Sequence, residues 1–137
     1  MQFAGVNYMA VAAAAAGAFF FGFAYYMTLG KFWMVATGKS EEALKAGGMA
    51  KPMIITAICQ LIMAFMLGGI LGHLGAEQIN LQGGLITGLF VWFGFAITAT
   101  AVNYAWQRSS PMLTLIDGGH WLGCLAIQGM VLGAMGV

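Results

Sequence analysis

Polar side chains are nearly absent from four long stretches of this sequence and crowd into the short segments between them. The apolar runs extend from about Val6 to Leu29, Met53 to Gly75, Gly84 to Trp106 and Met112 to Met135. At ~1.5 Å per residue, each is long enough to cross a hydrocarbon core ~30 Å thick as an α-helix. Boundary signals agree: Pro52 and Pro111 each stand just before a run, where a missing N–H costs nothing in a first helical turn, and Ser110 is placed to cap the fourth helix. The expected fold is all-α: a polytopic membrane protein built as a four-transmembrane-helix bundle. It forms one domain over residues 1–137, with the longest loop at 30–52.

Composition strengthens this reading. Of 137 residues, 61% are hydrophobic and 7% charged, with a mean hydropathy of +0.89, whereas a soluble domain carries about a quarter charged residues. The first run has no Lys or Arg before it and is too long for a signal peptide, so it reads as a retained helix. All five basic residues lie in two connections, Lys31, Lys39, Lys45 and Lys51 in one and Arg108 in the other, while the connection from Glu77 to Gln82 has none. Basic residues of short loops stay in the cytoplasm. That bias puts both termini outside the cytoplasm. Within the long loop, Ser40, Glu41, Glu42 and Gly47–Gly48 predict one short capped helical turn along the membrane surface. A net charge of +1 offers no basic surface for nucleic acid; membrane lipids are the expected surroundings.

Chemistry is sparse. Asp117 is the one acid inside a span, and His120 follows three residues later on the same helical face, near enough to share a proton. Depth counting from the helix starts brings Gln60, Asn103 and Tyr26 to the same cytoplasmic half. This intramembrane polar cluster is open to two readings: a polar knot that fixes packing, or a proton or cation site of a small oligomeric transporter or channel. His73 and His120 differ in depth by ~18 Å and cannot share a metal ion, so no metal or cofactor is implied. Cys59 and Cys124 lack paired spacing and read as packing residues. Serines occur at 40, 109 and 110 alone, and no second carboxylate stands near Asp117; the sequence predicts no enzyme.

Small-residue pairs predict close helix packing: Gly68 with Gly72, Gly84 with Gly88, Gly119 with Gly123, and Gly129 with Gly133. They exceed the evident needs of one bundle, which points to a homo-oligomer or to a structural or accessory subunit of a larger membrane complex. Grooves beside Phe19 to Phe23, Trp92 and Trp121 are a third possibility, as sites for lipid or a hydrophobic ligand. An internal echo also runs through the chain. Tyr25-Tyr26 precede Lys31 and Pro52 as Asn103-Tyr104 precede Arg108 and Pro111.

Several of these residues carry a resemblance over nearly the whole chain. Gly22 with Tyr25-Tyr26, then Gly30-Lys31-Phe32-Trp33, the stretch from Gly88 through Trp92-Phe93-Gly94-Phe95 to Asn103-Tyr104, and Gly119-His120 together resemble the DUF1761 family of small bacterial four-helix membrane proteins. The resemblance implies the same topology and brings no substrate, cofactor or catalytic residue. The sequence departs from the family pattern at the end of the first helix, where Tyr25-Tyr26-Met27-Thr28-Leu29 stands in place of a Trp-Tyr followed by a proline-containing turn.

Overall fold

The computed structural model of the protein describes residues 5–137. The chain forms α1 (Tyr8–Thr37), the short α2 (Glu41–Ala46), α3 (Ala50–Leu74), a 3-10 turn (Ala76–Gln78), α4 (Leu81–Val91), a π-helical turn (Trp92–Ala96), α5 (Ile97–Trp106) and α6 (Pro111–Met135). α4, the π turn and α5 run on as one helix, so four helices are long and apolar enough to cross a membrane. No strand occurs among the described residues.

The helix ends follow local chemistry. Asn7 caps α1 by accepting from the Ala10 N–H at 3.1 Å, and its amide donates to the Met135 carbonyl, which ties the two chain ends together. α1 does not stop at Leu29. Nothing from Gly30 to Thr37 breaks a helix, and it ends at Gly38 in the left-handed conformation (φ 68°). At 30 residues it is ~45 Å long, and it stays helical through Tyr25–Leu29, where the chain lacks the proline of the family pattern. Ser40 caps α2 through the Ala43 N–H, with Glu41 and Glu42 in its first turn. Lys45 pairs with Glu41 at 2.5 Å, and this hydrogen bond and charge hold the exposed carboxyl below its usual range. α3 begins at Ala50, three residues before the expected Met53, and α4, capped by Asn80, begins at Leu81, three residues before the expected Gly84. Ser110 caps α6 with Pro111 in its first turn.

α6 is the axis of the bundle and touches α1, α3, α4 and α5. Its contact with α4 is backbone on backbone: a Cβ on Gly84 or on Gly88 would overlap the carbonyl of Gly129 or of Leu125, and one on Gly133 would overlap that of Asn80. Gly119 and Gly123 instead seat Tyr25 and Phe21 of α1, while Gly68 and Gly72 lie against Leu132 and Val137. Each of the four predicted glycine pairs therefore meets neighbours within the chain.

The half of the bundle nearer the termini is mainly apolar at its centre, with Thr87 and Gln128 as buried polar exceptions. Ala10, Ala14 and Ala15 of α1 pack on Ala64, Leu67 and Leu71 of α3 and on Leu125 and Leu132 of α6. Small alanines allow α1 and α3 close approach there. Toward the end that carries the lysines and Arg108, α1 changes to Phe19, Phe20, Phe21 and Phe23, and this bulk replaces close contact of the two helices with a cavity.

Candidate functional site

The polar assembly starts at Asp117, which is 8% exposed. The Tyr26 hydroxyl donates to its Oδ1 at 2.6 Å and the Tyr104 hydroxyl to its Oδ2 at 2.5 Å. Both oxygens are thus occupied, which a carboxylate in an apolar medium requires. On either side of it, Tyr25 donates to the Ile116 carbonyl at 2.7 Å and Trp92 to the Gly118 carbonyl at 2.8 Å. Four aromatic donors from two helices therefore grip three consecutive residues of α6. The second residue of each pair in the internal echo, Tyr26 and Tyr104, has the same task, one on each carboxylate oxygen.

The π turn makes this grip geometrically feasible. Twelve residues separate Trp92 from Tyr104, which in an unbroken α-helix sets them ~120° apart around the axis. The extra residue of the π turn takes back ~100°, so both side chains reach α6.

A second set continues toward the membrane centre. His120 Nε2 lies 3.3 Å from Cys124 Sγ, one turn further along α6. Gln60 Nε2 donates to the same sulfur at 3.4 Å, and Gln128 Nε2 donates to Gln60 Oε1 at 2.6 Å and to the Gln60 carbonyl at 3.2 Å. His120, Gln60 and Gln128 are all buried. His120 fits because residue 22 is glycine, where a Cβ would stand 2.6 Å from Nε2. Its ring packs against Tyr26 at 4.9 Å and Trp121 at 4.7 Å between centroids. Beyond Gln128 the interior is the apolar core already described, so the polar chain stops partway.

His120 also forms part of the wall of a cavity of about 350 Å³ between α1 and α3. α1 contributes Phe19, Gly22, Phe23, Tyr26 and Met27; α3 contributes Pro52, Met53, Thr56 and Gln60. Nine-residue stretches of the two helices, 19–27 and 52–60, border this slot along ~12 Å, and Met49, just before α3, completes its wall.

The structure redistributes the residues singled out in the sequence. Tyr26 meets Asp117, but His120 does not: among the described residues no hydrogen bond joins them, and the ring of Tyr26 borders His120 instead. Gln60 lies level with Cys124, seven residues or ~10 Å past Asp117, because the starts of α3 and α6 are not at one depth. Asn103 is exposed on the outer face, and its neighbour Tyr104 makes the contact. Cys124, read as a packing residue, belongs to the buried chain, as does Gln128. His73 is exposed in the last turn of α3, and Cys59 is exposed as well. Tyr104 could have been found from the echo, which pairs it with Tyr26.

A family model described as a protein of unknown function, DUF1761, matches residues 9–133. No curated protein matches, and no solved structure does.

Proposed function

This chain belongs to the DUF1761 family, and we propose that it is a non-enzymatic membrane protein that binds an amphiphilic molecule entering sideways from one leaflet. In this reading the chain spans the bacterial inner membrane four times, with its basic loops in the cytoplasm and both termini outside. The slot between α1 and α3 then opens into the cytoplasmic leaflet. The observation that carries the proposal is the slot itself: an apolar cavity of about 350 Å³ backed by a buried imidazole, within the size and character of small-molecule sites. The Asp117 clamp stands behind it and fixes α1 and α5 on α6, so that Tyr26 is held rigidly as both clamp and cavity wall.

Transport through one protomer has less support. A permeating ion needs polar groups along the whole path, and the polar chain ends at Gln128 against Leu67, Leu71 and Leu132. Native mass spectrometry of protein released from its own membrane tests the binding reading. Wild type is expected to retain one discrete small molecule at near one-to-one ratio. Met53→Trp, at a wall position 42% exposed, is expected to lose it. Identical lipid adducts on both proteins would remove the basis for the proposal.

A second reading, an accessory subunit that associates with copies of itself, has one supporting observation. The span Leu81–Trp106 has 11% of its apolar window buried, against 50% for α6, and presents Phe90, Phe93 and Phe95 outward. Crosslinking in membranes from position 93 would capture a second copy if this face is a protein interface, and lipid alone if it is not.

A further inference from the structure

We infer that the ligand of the α1–α3 slot carries an uncharged ring head of the quinone or quinol type, hydrogen-bonded to Nδ1 of His120; this rests on the slot being a ligand site. The first ground is charge. No Lys, Arg, Asp or Glu lines the cavity, so a phosphate or carboxylate head entering it would be desolvated without a counter-charge, at large cost. The head that fits is neutral.

The second ground is which polar atoms are still available. Gln60 gives one N–H to Cys124 and accepts from Gln128, Tyr26 gives its proton to Asp117, and Thr56 gives its own to the Pro52 carbonyl at 2.8 Å. His120 Nε2 is taken by Cys124. His120 Nδ1 has no hydrogen-bond partner among the described residues, yet it is not among the fully enclosed unpartnered atoms. So few free polar groups on an apolar wall suit a ring bearing one oxygen near them better than a multiply hydroxylated head.

The third ground is that His120 Nδ1 can act either as donor or as acceptor without net charge. When the Cys124 thiol donates to Nε2, Nδ1 carries the ring proton and donates to a carbonyl, as a quinone presents. When Nε2 holds the proton and gives it toward the sulfur, the thiol turns to the Ala18 carbonyl, 3.6 Å away, and Nδ1 accepts from a hydroxyl, as a quinol presents. The flat walls of Phe19, Phe23 and Tyr26 suit an aromatic ring, and Met27 and Met53 adapt to its substituents. A tail leaves through the open side into lipid.

The test is equilibrium binding to the full chain in nanodiscs of decylubiquinone and its quinol, with decylbenzene and phosphatidylglycerol as competitors. We expect both oxidation states to bind within about threefold of one another, and decylbenzene about three- to tenfold more weakly, as the loss of one buried hydrogen bond dictates. His120→Leu is expected to erase that difference and Met53→Trp to abolish binding. The decylbenzene comparison uses wild type alone and holds whether or not His120→Leu folds. Equal binding of decylbenzene, or displacement of the quinone by phosphatidylglycerol, overturns the ring-head inference while leaving a lipid-binding slot. Absence of any binding sensitive to Met53→Trp overturns both.

Discussion

Removing one oxygen atom at Tyr104 probes the clamp directly. Tyr104→Phe keeps the ring and deletes the hydroxyl that reaches Asp117 Oδ2 at 2.5 Å, so the carboxylate keeps a single donor, Tyr26. A hydrogen bond to a charged group is worth ~1.5–3 kcal/mol, but interhelical bonds in membrane proteins average ~0.6 and reach ~1.7 kcal/mol. A short bond to a buried carboxylate belongs at the upper end of the membrane range, and the expected loss is ~1.5 kcal/mol, about a tenfold change in the unfolding constant. Asn103→Ala, on the exposed face one residue away, should change stability by less than ~0.5 kcal/mol. Reversible unfolding in mixed micelles of increasing SDS fraction measures both. A double-mutant cycle with Asp117→Leu should return a coupling near the full ~1.5 kcal/mol for Tyr104 and near zero for Asn103. A neutral Tyr104→Phe beside a costly Asn103→Ala would refute the geometry of the clamp.

Four further expectations follow from the same structure. Deleting Gly94, which faces open space, removes the extra residue of the π turn and swings Tyr104 by ~100°; stability should fall at least as far as in Tyr104→Phe, with no remaining coupling to Asp117 in the cycle. Gly84→Ala drives a methyl group into the Gly129 carbonyl and should cost ~1–3 kcal/mol, while Gly30→Ala, in open space, should be neutral or mildly stabilising; the same SDS titration separates them. In a Cys59→Ser background, an impermeant maleimide applied to intact cells should label a cysteine at Gln78 and spare one at Ser40, and the reverse pattern would invert the proposed topology. Liposomes containing the protein should show no proton flux that Asp117→Asn abolishes; such a flux would favour transport over one-sided binding.

Much of the architecture was legible in the residues because it depends on composition and spacing. Apolar length marked four helices, Pro111 and Ser110 marked the start of α6, and Ser40 with Glu41 marked α2. The misplaced ends have a common cause: Gly30-Lys31 and Lys51-Pro52 look like loop residues, yet a helix emerging from a membrane continues through polar residues until something such as Gly38 stops it. The candidate site was legible in kind more than in detail. Asp117 stood out as the lone buried acid, and depth counting brought Tyr26 near it. Depth along an axis says nothing of rotation around it, and so Asn103 was chosen where Tyr104 reaches inward; a single π turn carries that difference without any marked sequence signal. Spacing marked the glycine pairs but not their partners, because which helix meets α4 depends on rotations that place its backbone against α6. The slot was not legible at all, because it arises where the alanine-lined contact of α1 with α3 gives way to phenylalanine.

The central claim, a ligand slot open to one leaflet, is tested most directly by photo-crosslinking in native membranes. A benzophenone side chain at position 53, on the slot wall, is compared with one at position 90 on the outer face, where Phe90 is 76% exposed. The account predicts one discrete small-molecule adduct from position 53 and a mixture mirroring the bulk phospholipids from position 90. The same bulk mixture at both positions would contradict it.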